Sequence, residues 1–152
     1  MKKSNYFKRN KYLMSFLIIL TIYGCNLFTP TISSYDQYAY SQTTALKVDV
    51  LNLMDSAVGD YQSQIKAIVI VKTNIEKLYE YEKNLPKNDI TLKQWQFMTD
   101  TSGHLWSGFL IRWRNEKKLH KAYIDDKKEL IGEAFDQIAE LESKKIKSPT
   151  TK

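Results

Sequence analysis

Cysteine is nearly absent from this chain: Cys25 is the only one among 152 residues. One thiol cannot form an intrachain disulfide or assemble a cysteine metal site, so stability must come from packing. Histidine is as scarce. His104 and His120 lie 16 positions apart, far from the three- or four-residue spacing of a metal pair on one helix. Only three prolines and five glycines occur, and between Tyr35 and Lys83 there is no proline and a single glycine, Gly59. That excludes a loop-rich or low-complexity chain and leaves room for long uninterrupted elements. Acidic residues are missing altogether before Asp36, whereas Lys2, Lys3, Lys8, Arg9 and Lys11 crowd the start.

The basic start is followed by an apolar run, Ser15 to Gly24, of about ten residues, with Phe16 to Tyr23 as its core. A positive segment, a short apolar segment and then a small residue form the layout of a secretory signal. The run is too short for a spanning helix, which needs roughly 20 apolar residues. Ile22, Tyr23, Gly24 and Cys25 occupy four consecutive positions that resemble the lipobox of bacterial lipoproteins, Tyr23 being the one departure from the usual small residues. The resemblance implies that a diacylglycerol is transferred to the Cys25 thiol, that cleavage follows Gly24 and that the new amino terminus is acylated. It implies a palmitate-type membrane anchor and a place in the cell envelope. Asn26 differs from the Asp that retains enteric lipoproteins at the inner membrane, which favours the outer membrane facing the periplasm.

The signal segment changes the charge argument. The whole chain has 23 Lys+Arg against 17 Asp+Glu, a net of +6. With residues 1–24 removed, 18 basic residues face 17 acidic ones, a net of +1. The basic balance belongs to targeting, and no nucleic-acid partner is expected. The remaining 128 residues suffice for one domain with a modest core.

Four parts follow: a signal peptide at 1–24, a lipidated tether at 25–34, a helical domain at 35–146 and a frayed tail at 147–152. In the domain, Leu46, Val50, Leu53, Ala57, Tyr61, Ile65, Ile68, Val71, Ile75 and Leu78 recur at steps of three and four, the period of a helix. A rod of some 45 residues would be roughly 65–70 Å long, so it must project or break, and Gly59 is the weakest point. The run Ala67 to Val71 is apolar on all sides and reads as a stretch covered by more than one neighbour. Pro86 ends this element, with Asn84 and Asn88 as turn residues. A short helix then starts near Asp89 or Thr91, which has capping-box spacing to Gln94. After the turn Asp100 to Gly103, a second short helix spans His104 to Arg114 with Trp106, Phe109, Leu110 and Trp113 on one face. The last element, Leu119 to Lys145, carries Ile124, Ile131 and Ile138 at heptad spacing with Phe135 and Leu141 between them. The expected fold is all-α: two long antiparallel amphipathic helices joined by short aromatic-rich helices.

Catalytic patterns are lacking. Ser102 and Ser107 stand beside glycines without Gly-x-Ser-x-Gly, and Gly103 to Gly108 lacks the Lys-Ser/Thr ending of a phosphate loop. A hydrolase built on His104, Asp100 and Ser102 is the third-ranked reading. Glu76, Glu80 and Glu82 with Lys72, Lys77 and Lys83 read as an exposed ion-paired face, as do Asp125 and Asp126 with Lys127 and Lys128. Tyr35, Tyr38, Tyr40, Tyr79, Tyr81 and Tyr123 invite a contact-surface reading, but Tyr35, Tyr38 and Tyr40 read first as anchors of the helix start. The leading expectation is a non-enzymatic, membrane-anchored module that binds or scaffolds an envelope protein, with no cofactor. Its alternative is a small-ligand or lipid-binding protein. The candidate interaction or ligand surface is Trp95, Trp106, Phe109 and Trp113, with Phe97 beside them, and the candidate modified residue is Cys25.

Overall fold

The computed structural model describes residues 35–103 and 105–144. The expected signal peptide, lipidation at Cys25, tether and tail, and His104, lie outside the described residues. The described chain is all-helical, with no strand: α1 (Gln37–Asp55), α2 (Ile65–Lys83), α3 (Asp89–Thr99), α4 (Trp106–Glu116) and α5 (Lys121–Lys144).

The first rod does break, and it breaks at Gly59. The segment from α1 to α2 passes through two 3₁₀ turns, Ser56–Val58 and Tyr61–Gln64, with Gly59 extended between them at φ −96°, ψ 177°. Glycine propensity alone would only weaken a helix there. What opens it is the linker between α4 and α5, which takes over the freed backbone groups. The Tyr61 N–H donates to the Lys117 carbonyl at 2.9 Å and the Leu119 N–H to the Ala57 carbonyl at 2.8 Å. The Trp113 indole donates to the Gly59 carbonyl at 3.0 Å. Buried backbone groups need such partners, so the break and the linker stabilise each other.

The break folds α2 back along α1. Tyr81 near the end of α2 bonds Asp36 just before α1, which makes the pair antiparallel. On the other side, Lys47 pairs with Asp136 and Asp55 with Lys128, so α5 also runs antiparallel to α1. The central α1 is thus flanked by two long helices, and its 19 residues bury Leu46, Val50, Leu53 and Met54 against them. From α2 come Ile68, Val71, Ile75 and Leu78; from α5 come Ile124, Ile131, Phe135 and Ile138. Each such side chain contributes about 1.5–3 kcal/mol when fully buried, an upper figure because the unfolded chain is itself partly collapsed. The heptad stripe of α5 is core throughout, except that Leu141 is half-buried and its neighbour Glu142 is fully buried.

Three local readings are corrected. Thr91 does not cap α3. The helix begins two residues earlier, and the Thr91 hydroxyl donates to Glu142 Oε1 at 2.9 Å. Glu82 is not on the exposed charged face but fully buried, because position 82 falls on the same side of α2 as Ile68, Ile75 and Leu78. The run Ala67 to Val71 is not covered all round. Ile68 and Val71 face the core, but Val69 and Ile70 are 55% and 60% exposed, since α2 packs through one side only.

Candidate binding surfaces

The aromatic section is held between the break and the start of α5. Trp95, Trp106, Phe109 and Trp113 are 0%, 1%, 0% and 0% exposed. Their rings form a chain of edge and stacked contacts: Tyr61 meets Trp113 edge-on at 5.4 Å, Trp113 meets Phe109 at 6.2 Å, and Phe109 stacks on both Trp106 and Tyr123 at 6.2 Å. Trp95 meets Phe135 of α5 edge-on at 5.8 Å. These separations and tilts are the favourable ones for aromatic quadrupoles. As a surface for a partner, therefore, the four residues expected from the sequence are withdrawn from solvent and act as core. Phe97 alone of the neighbouring aromatics is open, at 70%. The Trp113 N–H is bonded to Gly59, whereas those of Trp95 and Trp106 have no acceptor among the described residues.

Trp106 nonetheless borders a cavity of about 290 Å³ between α2 and the α3–α4 corner. Lys72, Ile75, Glu76 and Tyr79 form one wall, and Thr99, Thr101 and Ser107 the other. The Ser107 hydroxyl is spent on the Thr99 carbonyl at 2.7 Å, and the Tyr79 hydroxyl accepts from Gln96 at 3.2 Å. The cavity can receive a small, largely apolar molecule but offers no nucleophile and base in contact. The Asp100–Ser102 pair beside it is a turn device: Asp100 accepts from the Ser102 N–H and hydroxyl at 2.9 and 2.7 Å. Those two bonds hold the Asp100 carboxyl below its ordinary range. His120 is exposed, and no group of three metal-ligating side chains occurs among the described residues.

A shallow groove of about 370 Å³ runs along the other side of α2, where it meets α1. Leu53, Ala67, Ile70 and Val71 supply its apolar floor, with Asn52, Ser56, Gln64 and Asp49 at the edges. Among the described residues it carries one acid and no base. Val58 and Ile65 are also exposed, at 52% and 39%. Sequence periodicity alone gave no sign of this surface, because the same run reads as core until the neighbours are placed.

The opposite end of α1 is polar. Asp36 caps the helix, accepting from the Ala39 N–H at 2.8 Å and from the Tyr81 hydroxyl at 2.6 Å. The bond to Asp36, followed by burial, pushes Tyr81 up to about 12. Tyr38 meets Tyr81 edge-on at 4.7 Å and Tyr35 lies 6.4 Å from Tyr40, so these tyrosines pin the helix start, the first of the two readings. Close by in the fold, the Asn88 amide donates to the Glu82 carbonyl at 3.0 Å and to its carboxylate, and Thr91 donates to Glu142. Tyr35, Tyr38 and Tyr40 are read from the sequence as anchors of this helix start, whereas Asn88 is expected only as a turn former and Glu142 not at all.

Comparison with protein-family models, with curated proteins and with solved structures finds no match for this chain.

Proposed function

We propose that this chain is a non-enzymatic helical lipoprotein, anchored through Cys25, that binds or scaffolds another protein of the cell envelope. The observation that carries the reading is the open aliphatic surface of α2: Val69 and Ile70 more than half exposed beside a groove floored by Leu53, Ala67 and Val71. Contiguous apolar surface rimmed by polar residues marks interaction sites, and a groove with one acid and no base suits a neutral, apolar-faced segment of a partner protein. No helix among the described residues is long and apolar enough to cross a membrane. Membrane attachment on this reading rests on the lipid at Cys25, and Asn26 after it, in place of Asp, favours the outer membrane.

Palmitate labelling tests the anchor: wild type incorporates label and Cys25→Ser does not. A photo-crosslinking residue at Ile70 then tests the module. Capture of one defined envelope protein from membranes, lost on Val69→Asp, is the expected result. Capture of lipid alone, or of the same proteins as from a probe at exposed Lys118, would overturn it.

A second reading has its own observation, the cavity beside Trp106. If a small hydrophobic ligand fills it, tryptophan fluorescence shifts on titration and Thr101→Leu, which narrows the space without adding an indole, weakens the shift. A flat titration removes this alternative.

A further inference from the structure

The far side of the aromatic section holds a small polar pocket of about 270 Å³, lined by Gly103, Gly108, Arg112, Tyr123 and Lys127. Three elements meet there: the loop before α4, α4 itself and the first turns of α5. The Tyr123 ring is the common platform. The Arg112 guanidinium lies 4.0 Å from its centroid and the Lys127 ammonium 5.8 Å. Its other contact is Phe109, stacked nearly parallel at 3°, so the ring cannot turn away without disturbing the core.

Two cations held over one ring repel each other, and the attraction of each to the ring offsets that only in part. Among the described residues the lining carries no carboxylate. Glu116 engages Arg112 through Nε at 2.7 Å and Tyr123 takes a second side-chain bond from it, which leaves part of the five-donor guanidinium fork uncommitted among the described residues. Lys127 makes no ion pair among the described residues, and the positions three and four away on α5 are Tyr123, Ile124, Leu130 and Ile131, none of them acidic. The glycines set the shape. A Cβ on Gly108 would fall 2.1 Å from the Gly103 carbonyl oxygen, so this approach of loop to helix, and the wall it makes, needs glycine.

We propose that this pocket binds a phosphate-class oxyanion, clasped by Arg112 and Lys127 above Tyr123. The volume is below that of pockets for drug-sized ligands, which suits a single phosphate group and not a nucleotide. Charge-assisted hydrogen bonds from a planar guanidinium and an ammonium are the strong kind of contact for such a group. The inference rests on this geometry and not on the anchor or the groove.

The test titrates the full chain, at constant ionic strength, with inorganic phosphate while following the Gly103 and Gly108 amide signals by NMR. Saturable shifts of both are expected, with binding weakened at least about tenfold in Lys127→Glu, the loss of one charge-assisted contact. Lys66→Glu, an equal charge change on an exposed part of α2, should leave the affinity unchanged. Arg112→Lys keeps the charge and should still weaken binding, since the planar fork is lost. Unmoved glycine signals, or equal weakening by Lys66→Glu and Lys127→Glu, would overturn the site. Competition with soluble dihexanoyl phosphatidylglycerol assigns the source: displacement at lower concentration than phosphate itself marks a lipid headgroup, and weaker displacement marks a soluble phosphate compound.

Discussion

The two ends of α1 are built on opposite principles. At its C-terminal end, the break, the α4–α5 linker and the aromatic chain form a dry corner in which a few backbone bonds are sealed by large rings. At its N-terminal end, Asp36, Tyr81, Glu82, Asn88, Thr91 and Glu142 form a hydrogen-bonded cluster that includes two fully buried carboxylate residues. Rings stabilise through area and are insensitive to pH. Buried carboxyl groups stabilise only while each donor stays in place, because a buried polar group left unmet costs more than the bond that satisfied it contributed. The aromatic end is therefore the robust one and the polar end the one that specifies position. The open surfaces lie toward the break end, on the first turns of α2 and at the start of α5.

The sharpest test of this contrast is Trp113→Ala. It removes a fully buried ring and the bond to Gly59, and should cost about 3–5 kcal/mol of unfolding free energy in urea. The milder pair Trp113→Phe and Trp106→Phe refines it. Only the first loses a made hydrogen bond, so it should be the more destabilising by about 1 kcal/mol. Equal losses would mean that ring area alone holds the corner. At the polar end, Thr91→Val keeps volume but withdraws a donor from Glu142, with an expected cost of about 1–3 kcal/mol. A neutral result would show that the cluster does not depend on that contact.

Tyr81→Phe comes next, at about 1 kcal/mol near neutral pH. Its pH dependence has a definite sign. The phenol titrates near 12 in the folded state against 10.0 ordinarily, so its contribution is complete below pH 10 and is lost as pH rises toward 12. The difference in stability between wild type and Tyr81→Phe should shrink across that window. A constant difference would separate the hydroxyl from Asp36. The smallest effect belongs to neither end. At Gly132, midway along the α1–α5 contact, an added Cβ would meet Leu51 and Lys47 side chains at 3.7 Å, ordinary contact distance. Gly132→Ala should stabilise by about 0.5–1 kcal/mol through helix propensity, read as a raised urea midpoint.

How far the residues announced these features depends on the range of the forces involved. The helical period from Leu46 to Leu78, the face of α4 with its two tryptophans and the Ile124, Ile131, Ile138 stripe were all legible, because they follow from the 3.6-residue repeat and from side chains a turn apart. The position of the break was legible as well, as the single glycine in a long run. The start of α3 was legible near Asp89, but the role of Thr91 was not, since it has the spacing of a cap and only the presence of Glu142 shows where its hydroxyl goes. Nor was the fate of the four aromatics: burial and display use the same residues at the same spacing.

Local periodicity was therefore enough to specify helices, their apolar faces and the point at which the first rod would give way. Which side of each helix found a neighbour is a long-range matter. Glu82 went inside because Asn88, just before α3, supplies the donor that meets it, while Val69 and Ile70 stayed outside because α1 reaches only one flank of α2. A helix presents its whole circumference to solvent until packing chooses, and that choice is made by residues distant along the chain, whose positions no local pattern encodes.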